Sequence, residues 1–225
     1  METKKISFVA TPIGNLGDIS IRAVETLKLA DVILCEDTRV TKKLLHHFEV
    51  ETPTKSYHQH SSEKKILEIL TLLDEGKHIV LVTDAGTPGI SDPGNVLVER
   101  IVAHDNTIVI EPIPGPSAVI SALSVCGFAT DSFLFLGFPP HKKKRKQFFE
   151  KVEDASYTTV FYESPYRITK ALTALAEITS NTRKLCVCRE ITKKFEQTYR
   201  GTAKELLDMN IPEKGEFVVV CEGKK

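Results

Sequence analysis

Short apolar runs alternate with amphipathic stretches along the first half of the chain. Runs at 6–11 (ISFVAT), 31–35 (DVILC), 79–83 and 107–110 have the length and β-branched content of strands. Between them, over 61–75, Ile66, Ile69, Leu70 and Leu73 recur at i, i+3, i+4 and i+7, the apolar stripe of a helix. Gly76 stands where a C-terminal cap belongs. Leu97 and Ile101, with Val98 and Val102 beside them, repeat the stripe after Pro93. Strands separated by helices of this length predict βαβ units and a parallel sheet.

The second half has a different rhythm. FLFLGF (133–138) and TTVFY (158–162) are predicted strands, with a charged helix over 141–152 between them. A helix capped by Ser164, with Pro165 in its first turn, follows. Two strand candidates, 185–191 and 195–201, lie too close together for a helix, and EFVVVCE (216–222) supplies a last strand. Adjacent strands without a crossover helix predict antiparallel pairing and a mixed sheet. The Gly/Pro-rich turn and helix of PIPGPSAVISALSVCG place a boundary near 113–131. The expected architecture is two α/β domains, 1–115 with a mostly parallel sheet and 116–225 with a mixed one.

Composition narrows the class. The chain has 225 residues, 41% hydrophobic and 27% charged, which suits a globular protein, and no apolar run approaches the ~20 residues of a membrane span. The N-terminus METKKISFVA runs into a short strand rather than a signal-peptide core, so the expectation is a cytoplasmic protein without a membrane. The five cysteines are an odd number, and Cys186-x-Cys188 has no second Cys/His pair to complete a zinc site. Reduced, buried thiols and no metal are expected. Net charge is zero, so any affinity for nucleic acid must be local.

Chemistry collects where strands end. VTDAGTPGISDPG (82–94) breaks an apolar run at Asp84 and then supplies Gly86, Pro88 and Gly89, small residues that let a ligand approach the main chain. It closes with Asp92-Pro93-Gly94, an expected N-cap and first helical proline. A loop at a strand's carboxyl end, leading to a helix, is where open α/β sheets bind ligands. The first turn, Thr11 to Asp18, carries only Gly14 and Gly17, and Pro12 removes an N–H, so it is a poor dinucleotide cradle and speaks against NAD. Cys35-Glu36-Asp37-Thr38-Arg39 ends the second strand with two acids and an arginine, readable as a solvated helix start or as a cleft wall. Pro114-Gly115-Pro116-Ser117-Ala118 is a rigid turn suited to a flat purine or to linking two domains. Glu163 and Arg167 flank the predicted Ser164 cap, where capping alone would not require them. Lys142, Lys143, Lys144, Arg145 and Lys146 open a helix against its dipole, an arrangement that favours a polyanion over a merely solvated face.

ATPIGNLGDISIRA, CEDTR, DAGTPGISDPG, PGPSA and FYESPYR, in this order and spacing, closely resemble the ribosomal RNA small subunit methyltransferase I family of the tetrapyrrole methylase superfamily. The resemblance runs from about residue 6 to 223. It implies two α/β domains with S-adenosylmethionine in a cleft between them, a homodimer, and 2′-O-methylation of a cytidine ribose in the decoding region of 16S rRNA. Carried over by position, the donor would meet Pro12, Ile13 and Gly14, then Asp84, Gly86, Thr87, Pro88, Gly89, Ile90 and Ser91, then Ser117 and Ala118, with Tyr162 closing from the second domain. Thr87 stands where tetrapyrrole-methylating relatives have the aspartate of a GDP turn, and Tyr166 where this family more often has histidine. The chain ends at Lys225, where many relatives continue.

Methyl transfer to a ribose hydroxyl needs alignment and gains from a base. Asp37 and Glu163, with Arg39 beside them, are the expected catalytic residues; Arg167 and Arg189 join the Lys142–Lys146 run as expected RNA contacts. Three alternatives remain: a tetrapyrrole C-methyltransferase of the same fold, a nucleotide-dependent oxidoreductase, and a non-catalytic RNA-binding protein.

Overall fold

The computed structural model describes residues 4–58, 61–92, 94–179 and 182–224. The chain divides into two compact units, Met1–Ser117 and Ala118–Lys225.

Unit 1 is a parallel sheet covered on both faces. β1 (Lys5–Val9), β2 (Val32–Cys35), β3 (Thr54–Ser56), β4 (His78–Leu81) and β5 (Val109–Ile113) lie in the order β3-β2-β4-β1-β5. Every pairing is parallel. Alternate strand residues point to opposite faces. Ile6, Val32, Leu34, Ile79 and Leu81 therefore pack against α3 (Glu63–Asp74) and α4 (Asn95–His104) through Ile66, Ile69, Leu73, Leu97 and Ile101. On the other face Val9, Ile33, Cys35, Val80 and Val82 meet α1 (Ile21–Leu29) and α2 (Thr38–His47) through Ala23, Leu27 and Leu45. The predicted stripe of α3 is the buried one, and Gly76, at φ 79°, donates its N–H to Leu73 and ends the helix.

Unit 2 is the mixed sheet. β6 (Phe133–Phe135), β7 (Thr158–Glu163), β8 (Leu185–Arg189), β9 (Gln197–Gly201) and β10 (Phe217–Cys221) are ordered β6-β7-β10-β8-β9. β6 and β7 are parallel, while β10 runs antiparallel to β7 and β8, and β9 antiparallel to β8. One face packs on α6 (Arg145–Asp154), α7 (Ile168–Ile178) and α8 (Ala203–Asp208), the other on α5 (Ala118–Cys126). All five cysteines are free and buried, and Cys186 and Cys188 share a face with their sulfurs 3.8 Å apart. Among the described residues no helix is long and apolar enough to cross a membrane.

Four local expectations change. β3 was not foreseen because Thr-Lys-Ser is too short and polar to read as a strand; it survives as an edge. β5 continues through Pro112 because an edge strand tolerates a missing N–H. α4 begins at Asn95 with Gly94 as its cap, so Asp92 is not the N-cap, and Pro93 lies outside the described residues. Ser164 precedes a 3-10 turn, Pro165–Arg167, and its hydroxyl accepts from Arg167 Nε instead of capping the backbone.

Candidate functional site

The loop after β1 leads to α1 on one face of the unit 1 sheet, whereas the loop after its neighbour β4 leads to α4 on the opposite face. Adjacent strands whose connections part in this way leave a crevice at their carboxyl ends, the usual ligand position in open α/β sheets. The two loops are stitched together there. Thr11 and Gly86 exchange both backbone hydrogen bonds, at 3.0 and 3.1 Å. Thr11 Oγ1 donates to Thr83 O, and Thr87 Oγ1 donates to Pro116 O, adding the turn after β5. Gly86 sits at φ 87°, and an added Cβ would lie 3.4 Å from Ile13 Cγ2. Gly115 lies against Ala10, whose Cβ would be 3.0 Å from a Cβ at position 115. Pro12, Ile13, Gly14, Asp84, Gly86, Thr87, Pro88, Gly89, Ile90 and Ser91 thus belong to loops of one crevice. Asp84 and Ile90 are exposed, and Ser91 holds a left-handed φ of 64°. Ser117 ends this unit, while Ala118 opens α5 in the other.

Carboxylates gather at the same edge. Asp84 Oδ1 accepts from the Asp37 N–H at 3.2 Å, tying the β4 loop to the β2 loop. Thr83, buried, donates to Glu36 Oε1 at 2.5 Å. Asp92 has its pKa raised to about 6, chiefly by burial, then by the charge of Glu36 and, less, of Asp84. Asp37 caps α2, and its carboxylate also grips the Arg39 guanidinium through Nε at 3.0 Å and Nη2 at 2.7 Å. Those hydrogen bonds hold its pKa down at about 2. A carboxylate so occupied is a weak proton acceptor, so Asp37 and Arg39 fit a positioning pair better than a base. Burial raises the Cys35 thiol, and the neighbouring acids add to it.

In unit 2, Glu163 is buried under two arginines. Its Oε2 accepts from Arg145 Nη2 at 2.9 Å, its Oε1 accepts from the Ser164 N–H at 2.8 Å, and Arg167 Nε lies 3.4 Å from Oε1. Both oxygens of Glu163, an expected catalytic residue, are therefore engaged, and its side chain is wholly buried. Arg145, alone of the basic run, turns to this carboxylate at the start of α6. Lys142, Lys143 and Lys144 stay exposed, and Lys146 is exposed with a 3.6 Å pairing to Glu150. The helix begins after Lys144, whose φ of 67° turns the chain. Arg189, an expected RNA contact, is buried and donates to Lys214 O, Phe195 O and Gln197 Oε1, bracing the loop after β8. Tyr162 packs its ring on Phe135 and Phe138.

A second polar cluster, Ser7, His78 and Glu111, resembles a hydrolase triad only in composition. Ser7 donates to Glu111 Oε2 at 3.1 Å and lies 2.9 Å from His78 Nε2, yet it is fully buried and presents no nucleophile.

Two α/β units, one wholly parallel with a crevice at its switch point, define the class, and residues 5–207 match the family model of tetrapyrrole (corrin/porphyrin) methylases. The solved structure of diphthine synthase superposes with a TM-score of 0.75 at 12% identity, covering 97% of this chain and 90% of that one. The uroporphyrin-III C-methyltransferase of Thermus thermophilus gives a TM-score of 0.65 at 16% identity, covering 97% and 94%. These show the fold. Relatives far closer in sequence carry the name ribosomal RNA small subunit methyltransferase I. That of Halalkalibacterium halodurans is 46% identical over 96% of this chain and 74% of its own length. That of Thermotoga maritima is 42% identical over 98% and 99%. The chain belongs to the ribosomal RNA small subunit methyltransferase I family, and it is a methyltransferase.

Proposed function

We propose that the chain methylates the ribose 2′-hydroxyl of a cytidine in 16S rRNA, in the decoding region of the small ribosomal subunit, with S-adenosylmethionine as donor. The observation that supports this reading is identity of 42–47% with relatives named ribosomal RNA small subunit methyltransferase I, across nearly the whole chain, so that both units are matched. The donor fits the unit 1 crevice on chemical grounds. Gly86 and Gly89 hold left-handed backbone there, exposed Ile90 offers an apolar wall for a purine, and exposed Asp84 can accept from hydroxyls or an ammonium. When bound, S-adenosylmethionine supplies a methyl group already activated on a sulfonium.

The protein's part is then alignment and proton transfer. Asp92, beside Glu36 and Asp84 and with its pKa raised to about 6, suits a base near neutral pH, while Asp37 orients Arg39. The test is single-turnover methylation of 30S subunits read by primer extension at low nucleotide concentration. Modification of one ribose 2′-oxygen supports the reading, and transfer to a base or to a tetrapyrrole but not to RNA overturns it. The exposed lysines of 142–146 favour RNA over a tetrapyrrole as acceptor.

A further inference from the structure

Pairing in unit 2 lines up three strand ends. β10 is antiparallel to both β7 and β8, so those two run the same way, and β6 is parallel to β7. Phe217 pairs with Glu163 on one side and Arg189 on the other, which sets the ends of β7 and β8 level, about 10 Å apart at two strand spacings. The segments leaving β6, β7 and β8 therefore emerge along one edge of the sheet.

Each segment carries an exposed aromatic ring. Phe138 is 55% exposed, Tyr166 81% and Phe195 63%. The other strongly exposed rings among the described residues, Phe133 and Tyr157, lie at the opposite ends of β6 and β7, so the three are a concentration and not a scatter. Cations accompany them. Lys142, Lys143 and Lys144 follow Phe138 on the same segment, Arg167 follows Tyr166, and the Lys194 ammonium stands 5.7 Å from the centre of the Phe195 ring.

The Phe195 loop is built to hold its shape. Glu190 and Thr192 adopt left-handed φ values of 53° and 67°, a conformation that L residues rarely sustain without support. Support is present: Glu190 accepts from Lys193 Nζ and the Glu216 N–H, Glu196 accepts from the Thr192 N–H, and Arg189 donates to the Phe195 carbonyl at 3.1 Å. Lys193 is consumed by Glu190 and Glu216, whereas Lys194 has no carboxylate partner among the described residues and stands by the Phe195 ring. A strained, braced loop that displays an aromatic ring and a lysine has paid its ordering entropy before a ligand arrives.

We propose that this edge is a stacking platform for unpaired nucleotides of the RNA substrate, with Phe195, Tyr166 and Phe138 under the bases and Lys194 and Lys142–Lys144 on phosphates. It rests on the reading of the chain as an RNA methyltransferase and deepens it by naming the form of RNA received. A base within a duplex cannot present its face to a side chain, whereas a splayed loop or single strand can. Arg189 and Glu163 act as positioning residues behind the platform.

The experiment measures binding of the full chain to an unstructured 12-nucleotide RNA and to a duplex of equal length, across a salt series. Phe195→Ala and Tyr166→Ala should each weaken single-strand binding by about 5- to 100-fold, the range of one lost base–aromatic stack, with the salt slope unchanged. Duplex binding should not move, and Phe195→Trp should restore affinity. Alanine at Lys142, Lys143 and Lys144 should instead reduce the salt slope. Both rings are exposed, so thermal melting of these variants should match the parent. Parent-like single-strand affinity in both aromatic variants, or equal loss on duplex, overturns the platform while leaving RNA methylation standing. A parent chain that binds neither RNA but binds a protein of the small subunit through Phe195 overturns the platform and the RNA reading together.

Discussion

Asp92 and Asp37 lie at the same sheet edge yet are pushed in opposite directions, and the difference is testable residue by residue. Burial and the charges of Glu36 and Asp84 favour the protonated form of Asp92 in the fold, whose pKa is about 6 against an ordinary 3.8. That preference stabilises the protein below about pH 4 and is lost as pH rises through about 6. Asp92→Asn should flatten the stability-versus-pH curve between those limits, as followed by urea unfolding. If Asp92 takes the hydroxyl proton, the same variant should lower single-turnover rate by about 10²–10⁴-fold and abolish a rise in rate centred near pH 6. A parent-like rate and pH profile would return proton transfer to solvent or to the RNA. Asp37→Asn should keep the α2 cap, because Asn caps as well as Asp, and lose the Arg39 grip. Its rate should fall less than that of Asp92→Asn in the same assay.

At the scale of elements, the Glu163 hub decides how α6 and α7 begin. Arg145 and Arg167 share one buried carboxylate, and removing it strands two guanidinium groups. Glu163→Ala should destabilise the protein by about 3–5 kcal/mol in chemical denaturation, the usual cost of breaking a buried pair. The joint variant Glu163→Gln with Arg145→Met should recover part of that loss, since it removes charge from both sides. A loss of activity without a loss of stability in Glu163→Ala would restore Glu163 to a chemical role.

For the whole molecule, the donor assignment depends on loops from β1, β4 and β5 meeting at one crevice. Thr87→Arg and Ser117→Trp place bulk where the loops converge and should abolish S-adenosylmethionine binding in calorimetry while the thermal transition persists. Unchanged affinity in both would move the donor elsewhere. Elements were legible in the sequence wherever a buried stripe had its period: α3 through Ile66, Ile69, Leu70 and Leu73, β7 and β10 through continuous apolar runs. β3 was not, since three polar residues at an edge carry no period.

The sequence alone determined the α/β class, the parallel and mixed sheets, the strand-end loops and the family, because these follow from periodicity, turn chemistry and five local motifs, all of which act over neighbouring residues. Tertiary structure alone decided where each charged residue sits and what it contacts. Glu163, Arg145 and Arg189 read as exposed chemistry in the sequence, but residues 18, 18 and 25 positions away engage them in pairs and struts. Asp92 read as a helix cap, and it was burial in the folded chain, with the charge of Glu36 from the β2 loop added to it, that raised its proton affinity. Charge and burial are set by contacts between distant segments, and a linear pattern does not contain those contacts.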